Sequence, residues 1–132
     1  MIGKDLDVTP MEAFFLMALN TTESLSGSEI VLKIKKDLGL NWTPSPGATY
    51  KILQSMEKKQ FIQETTKKED RNDQRLRTYT LDEKGKEILP IIAKRIIKVA
   101  LFLDKCFPQE NFEGEVTIKI IKREPSKEKK EN

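Results

Sequence analysis

Three successive stretches of the chain carry apolar residues at helical spacing, a fourth region alternates at period two, and a fifth returns to helical spacing. The first begins at Thr9-Pro10-Met11-Glu12, where Thr9 caps, Pro10 takes the first helical position and Glu12 closes a capping box. Met11, Phe14, Phe15, Ala18 and Leu19 then predict a mostly apolar helix ending near Asn20. Ser26 and Glu29 repeat the capping signature ahead of Ile30, Val31, Ile34 and Leu38, with Gly39 as the C-terminal stop. A third helix starts at Ser45 and Pro46. Tyr50, Leu53 and Met56, with Ile52, give it one core stripe, whereas Ala48, Thr49, Lys51, Gln54, Ser55 and Lys58 lie largely off that stripe.

The period then changes. Phe61 to Thr66 and Leu76 to Leu81 are strand-like, rich in β-branched and aromatic residues, and the polar stretch 67–75 joins them as a long hairpin tip. Three helices followed by a hairpin is the order of a winged helix-turn-helix domain. Asp82 caps a last helix running to about Phe107, with Pro90 expected to kink or restart it. Ile88, Ile92, Ile96, Val99 and Leu103 follow one face of that helix, and Leu89, Ala93, Ile97 and Ala100 an adjacent one. One stripe is enough to dock a helix on its own domain, so two imply burial against a further partner, most simply a second copy of the chain. The alternative is that the first helix covers both stripes within one subunit.

The expected fold class is therefore mainly α with a small β-hairpin wing (α+β), a winged helix-turn-helix plus a C-terminal dimerisation helix. The expected boundaries are 9–81 for the winged domain and 82–107 for the dimerisation helix. An extra strand within 108–121, suggested by the alternation from Glu115 to Ile121, and a disordered charged tail over 122–132 complete the expected boundaries.

Composition narrows the chemistry. Apolar residues make up 37% of the 132 positions and charged residues 34%, which fits one soluble domain with a charged surface. No apolar run approaches the ~20 residues that span a bilayer, and Met1 to Asp5 has no apolar signal core, so no membrane partner and a cytoplasmic location are expected. Histidine is absent, which removes the commonest general base and the ordinary metal sites. Cys106 stands alone, excluding an intrachain disulfide, and reads as a buried thiol rather than a redox switch. No paired-carboxylate motif or glycine-rich phosphate loop occurs. The expectation is a non-enzyme with no catalytic residues, no metal and no cofactor. The net charge of +3 is a weak hint of a polyanionic partner, and the placement of the charge matters more.

Ser45-Pro46-Gly47-Ala48-Thr49-Tyr50-Lys51-Ile52-Leu53, then Met56-Glu57-Lys58 and Phe61-Ile62, resembles the recognition-helix signature of PadR-type regulators. Gly27-Ser28-Glu29-Ile30 and the run from Arg75 to Gly85 add to the resemblance, which extends from about Met11 to Leu89. Ser28 departs from a frequent aromatic, Gln60 from the usual glycine before the wing and Asp82 from a threonine. The resemblance implies a winged helix with a C-terminal dimerisation helix, mostly in repressors that bind inverted-repeat operators. Some members respond to small aromatic or drug-like compounds through a tryptophan on the dimerisation helix. Ile96 stands near that place and Trp42 lies elsewhere, so ligand binding is not carried over and a small-molecule effector stays open.

For double-stranded DNA as partner, the expected contacts on the third helix are Ser45, Gly47, Ala48, Thr49, Tyr50, Lys51 and Gln54. Small Gly47 and Ala48 admit a phosphate to the helix N-terminus, although both also fit ordinary first-turn chemistry. Thr49 and Gln54 are the base readers and Lys51 a phosphate contact. Tyr50 serves either the core through its ring or a phosphate through its hydroxyl. On the wing, Lys67, Lys68, Arg71, Arg75 and Arg77 are the candidates, with Arg71 and Arg75 foremost. The homodimer interface is assigned to Ile88, Ile92, Ile96, Val99, Ala100 and Leu103. Competing readings are a winged-helix protein-interaction module without specific DNA binding and a ligand-responsive sensor.

Overall fold

The computed structural model describes residues 3–21 and 24–107, so the strand and tail expected beyond Phe107 lie outside the described residues. The order is α1 (Pro10–Asn20), β1 (Leu25–Ser26), α2 (Gly27–Leu38), α3 (Pro46–Lys58), β2 (Ile62–Glu64), β3 (Thr78–Leu81) and α4 (Glu83–Cys106). The fold is mainly α with a β wing. The chain divides into two units, Met1–Ile92 and Ala93–Asn132, with the division falling inside α4.

The helix starts follow the local chemistry. Thr9 and Ser26 each close a full capping box with Glu12 and Glu29, and Ser45 Oγ accepts from the Ala48 N–H at 3.2 Å. Gly39 ends α2 in the left-handed region at φ 64°. Asp82 Oδ1 accepts from the Glu83 N–H at 2.9 Å at the head of α4, which runs unbroken through Pro90 rather than restarting there. The hairpin expectation needs one addition. β3 is the central strand of three, pairing antiparallel with β2 (Gln63 opposite Thr80) and with the short β1 (Leu25 opposite Tyr79).

The core of the first unit is built from Phe15, Leu16 and Leu19 of α1, Ile30 of α2, Met56 of α3, Phe61, Tyr79, and Ile92 of α4. Two expectations are corrected here. Ile88 and Ile92 are buried in this core, so they have almost no surface left to offer a second copy. Cys106 is exposed, because the last turns of α4 present most of their apolar side chains to solvent.

α3 ends in a Schellman motif: the Gln60 N–H bonds the Glu57 carbonyl at 2.9 Å and the Phe61 N–H bonds the Met56 carbonyl at 3.0 Å. Gln60 therefore sits at φ 67°, at the position where the resemblance implies glycine, and the bend is retained with a side chain that disfavours it. Gln60→Gly is expected to raise the unfolding free energy by roughly 1 kcal/mol. Urea denaturation checks this, and a loss of stability would contradict it.

Candidate nucleic-acid interface

The Ser45 cap and Pro46 fix the start of α3, and packing fixes its rotation. Thr49, Leu53 and Met56 are buried, and the Thr49 methyl and a Leu53 methyl crowd Gly27 at the head of α2. Thr49, expected to read bases, is only 7% exposed and faces α2, because a β-branched side chain at this rotation fills the gap left by Gly27. Ser45, Gly47, Ala48, Lys51 and Gln54 are exposed as expected, and open space surrounds the missing side chain of Gly47. Pro46 has no N–H and that of Ala48 is taken by Ser45 Oγ, which leaves Gly47 as the first-turn donor for an anion. Sequence reasoning left out Lys58, exposed two turns beyond Lys51 on the same face, although the helical period alone points to it. Ser55 turns inward, donating to Glu12 Oε2 at 3.1 Å.

The wing extends the β2–β3 ladder by one further bond, from the Thr65 N–H to the Thr78 carbonyl at 2.8 Å. Two 3-10 turns, Lys68–Asp70 and Gln74–Leu76, then shape the tip. Lys67, Lys68 and Arg71 are exposed there. Arg75 is also exposed, at 89%, but its Nε and Nη2 donate to Asp73 at 3.2 and 3.0 Å as a two-pronged pair. Those hydrogen bonds hold the Asp73 carboxyl below and the Arg75 guanidinium above their ordinary ranges. The pair is electrically neutral, so the rest of the tip carries Lys67, Lys68 and Arg71 against Glu69 and Asp70, a small net positive charge.

A charged cluster lies where α3 meets the wing. Tyr50 and Arg77 are both half-buried, and Arg77 Nη2 donates to the Arg71 carbonyl at 3.3 Å. Burial opposes the charge on Arg77, yet Glu64 and the Tyr50 hydroxyl outweigh it and hold the guanidinium protonated. Burial, then the neighbouring Glu64, pushes the Glu57 carboxyl up, while Arg77 pulls it down. Burial pushes Tyr79 up to about 12, with Glu57 and Glu64 adding to the effect, so it stays a neutral phenol at physiological pH. Tyr50 and Arg77, both expected at the DNA, are each only partly exposed.

No group of three or more possible metal-ligating side chains occurs among the described residues, and none of their helices is long and apolar enough to cross a membrane. In the second unit, Ile97, Val99, Phe102 and Leu103 are exposed, the last two by 63% and 45%, while Ile96 and Ala100 are half-exposed.

Residues 15–90 match the Transcriptional regulator PadR-like family. No curated protein gives a significant match. Among solved structures, a putative MarR-like transcription regulator from Bacillus cereus aligns with a TM-score of 0.64 at 17% identity, covering 92% of this chain and 81% of that one. A Staphylococcus aureus MarR in complex with salicylate and kanamycin aligns at 0.63 and 16% identity, covering 99% and 80%. YusO from Bacillus subtilis aligns at 0.56 and 17% identity, covering 96% and 79%. At these identities the likeness is one of fold.

Proposed function

The chain belongs to the PadR-like family of transcriptional regulators, and from that we propose that it acts as a homodimer that reads an inverted-repeat DNA operator and represses transcription. The observation that carries this reading is the division of α3 into two faces. Thr49, Leu53 and Met56 are locked into the core, while Gly47, Ala48, Lys51 and Gln54 stand uncovered on a helix whose N-terminus is open. A helix presented this way fits the major groove, with Gln54 suited to an adenine edge and Lys51 to a phosphate. Lys67, Lys68 and Arg71 on the wing supply backbone contacts, and Arg75 approaches DNA only with its charge offset by Asp73.

The test is a titration of duplex DNA at several salt concentrations. Lys51→Ala and Arg71→Ala are each expected to weaken binding to all sequences and to flatten the plot of log K against log salt by about one unit. Gln54→Ala is expected instead to lower discrimination between operator and random duplex by about 1–3 kcal/mol, with little change in slope. Unchanged slopes for both lysine and arginine variants would remove this surface as the DNA contact.

The homodimer rests on α4. With Ile88 and Ile92 enclosed, the proposed interface is Ile96, Val99, Ala100 and Leu103, joined by the exposed Ile97 and Phe102. Exposed large apolar groups at this density mark an interaction surface, and an inverted repeat would ask a two-fold pair to present its α3 helices to half-sites about 34 Å apart. Leu103→Glu is expected to yield a folded monomer by light scattering and to lose at least ten-fold in affinity for an inverted repeat. A Leu103→Glu protein that remains dimeric would contradict this interface.

A further inference from the structure

Trp42, the sole tryptophan of the chain, lies in the segment between α2 and α3 and is 63% exposed. A side chain of this size is ordinarily mostly buried, so leaving it in water calls for a reason. Among the described residues its indole N–H has no hydrogen-bond partner. The backbone around it, in contrast, is well held. Behind it the Leu40 N–H bonds the Lys35 carbonyl at 3.0 Å, and ahead of it the Ser45 cap closes the segment. Pro44 and Pro46 fix their own φ and bias Thr43 and Ser45 toward extended backbone, and Ser45 sits at φ −63°, ψ 161°. Thr43 and Pro44 are half-buried. An exposed indole on so stiff a support binds a partner at little cost in ordering.

We propose that Trp42 is a further DNA contact: its ring packs on the sugar-phosphate backbone at the rim of the groove that α3 enters, and its N–H donates to a phosphate. This rests on the DNA reading of α3 given above. The four residues from Trp42 to Pro46 span at most about 14 Å, close to the width of the major groove, about 12 Å. With the first turn of α3 among base edges, Trp42 stands at the groove wall, on the side where the preceding helix crosses the backbone. Indole chemistry suits that place. Its apolar body covers deoxyribose, and its one polar atom is a donor only, which matches a phosphate that only accepts. Charge favours DNA over a protein partner at this corner. Lys35 and Lys36 are exposed in the last turn of α2 against Asp37, and neither lysine has an ion pair among the described residues. Leu38, also exposed, would enlarge the apolar surface for a protein partner, and that occupant is one outcome of the test.

Because no other tryptophan is present, the intrinsic emission reports on Trp42 alone. The full chain is titrated with the duplex upstream of its own gene and with a length-matched random duplex, both fluorescently labelled and at low salt. Anisotropy of the label reads binding, and acrylamide quenching of the tryptophan reads its access to solvent. At saturation with either duplex, quenching of Trp42 is expected to fall about two-fold or more. Trp42→Ala is expected to bind both duplexes about ten-fold more weakly, with an unchanged salt slope, since no cation is removed. Trp42→Phe keeps a ring but loses the N–H and is expected to fall between the two. The exposed position leaves the urea midpoint of both variants at the wild-type value, which separates lost contact from lost fold. Duplex binding with Trp42 quenched as in the free protein, or Trp42→Ala binding as wild type, overturns the inference and leaves the proposed function standing. Shielding of Trp42 that grows with protein concentration alone, without DNA, assigns it to a protein contact and also overturns the inference. A wild-type protein whose anisotropy shows no binding overturns the proposed function, and the Trp42 contact with it.

Discussion

Gly85→Ala is expected to lower the unfolding free energy by about 3 kcal/mol, at the upper end of what overpacking a core produces. A Cβ built on Gly85 falls 2.2 Å from the Phe61 carbonyl oxygen and 3.1 Å from its carbonyl carbon. The obstacle is backbone, so no rotamer change relieves it. That carbonyl also accepts the Asp82 N–H at 2.9 Å, which ties the head of α4 to the turn after α3. To admit a methyl group, α4 must lift and break that bond, or the Gln60–Phe61 turn must move in its already unfavourable conformation. The sign makes the test sharp. At an exposed helix position the same substitution would stabilise by about 1 kcal/mol through helix propensity. Chemical denaturation decides between the two, and a stability equal to or above wild type would contradict the close approach of α4 to the turn.

Lys59→Met is expected to cost about 3 kcal/mol, because it strands a buried carboxylate. The Glu12 side chain is 3% exposed, and Lys59 Nζ lies 2.9 and 3.1 Å from its two oxygens and 2.9 Å from the Asp7 carbonyl. The lower part of the usual range applies because the Lys59 side chain keeps 21% of its exposure. Glu12 has a second task in the capping box of α1, which glutamine can also perform. The double variant Glu12→Gln/Lys59→Met is therefore expected to recover most of the loss, ending within about 1 kcal/mol of wild type. A double variant no better than Lys59→Met would show that the lysine acts through its methylene packing rather than its charge. The ion pair joins the start of α1 to the end of α3, so it also helps to hold α3 in place.

What the sequence made legible was local. Thr9, Ser26, Ser45 and Gly39 announced helix ends through hydrogen bonds within three or four residues, and those ends stand where they were expected. β1 was missed because two residues carry no period; Leu25 and Ser26 become a strand only because β3 lies alongside. Thr49 was misplaced for a related reason: whether a threonine at the stripe's edge faces groove or core depends on Gly27, twenty-two positions earlier, leaving room for it. Glu12 showed its capping role, whereas its partner Lys59 lies 47 residues away and no spacing rule connects them. Ile88 and Ile92 belonged to a continuous apolar face along with Leu103, and periodicity alone cannot say where along a helix the subunit's own core stops.

The central claim, a dimeric sequence-specific regulator, is tested most directly by fluorescence anisotropy of the protein against the DNA upstream of its own gene. A length-matched random duplex is run beside it at two salt concentrations. The structure leads us to expect a preference of ten-fold or more (about 1.4 kcal/mol) for the upstream fragment, with two chains bound per site. Equal and steeply salt-dependent binding to both duplexes, or no binding at low salt, would contradict it.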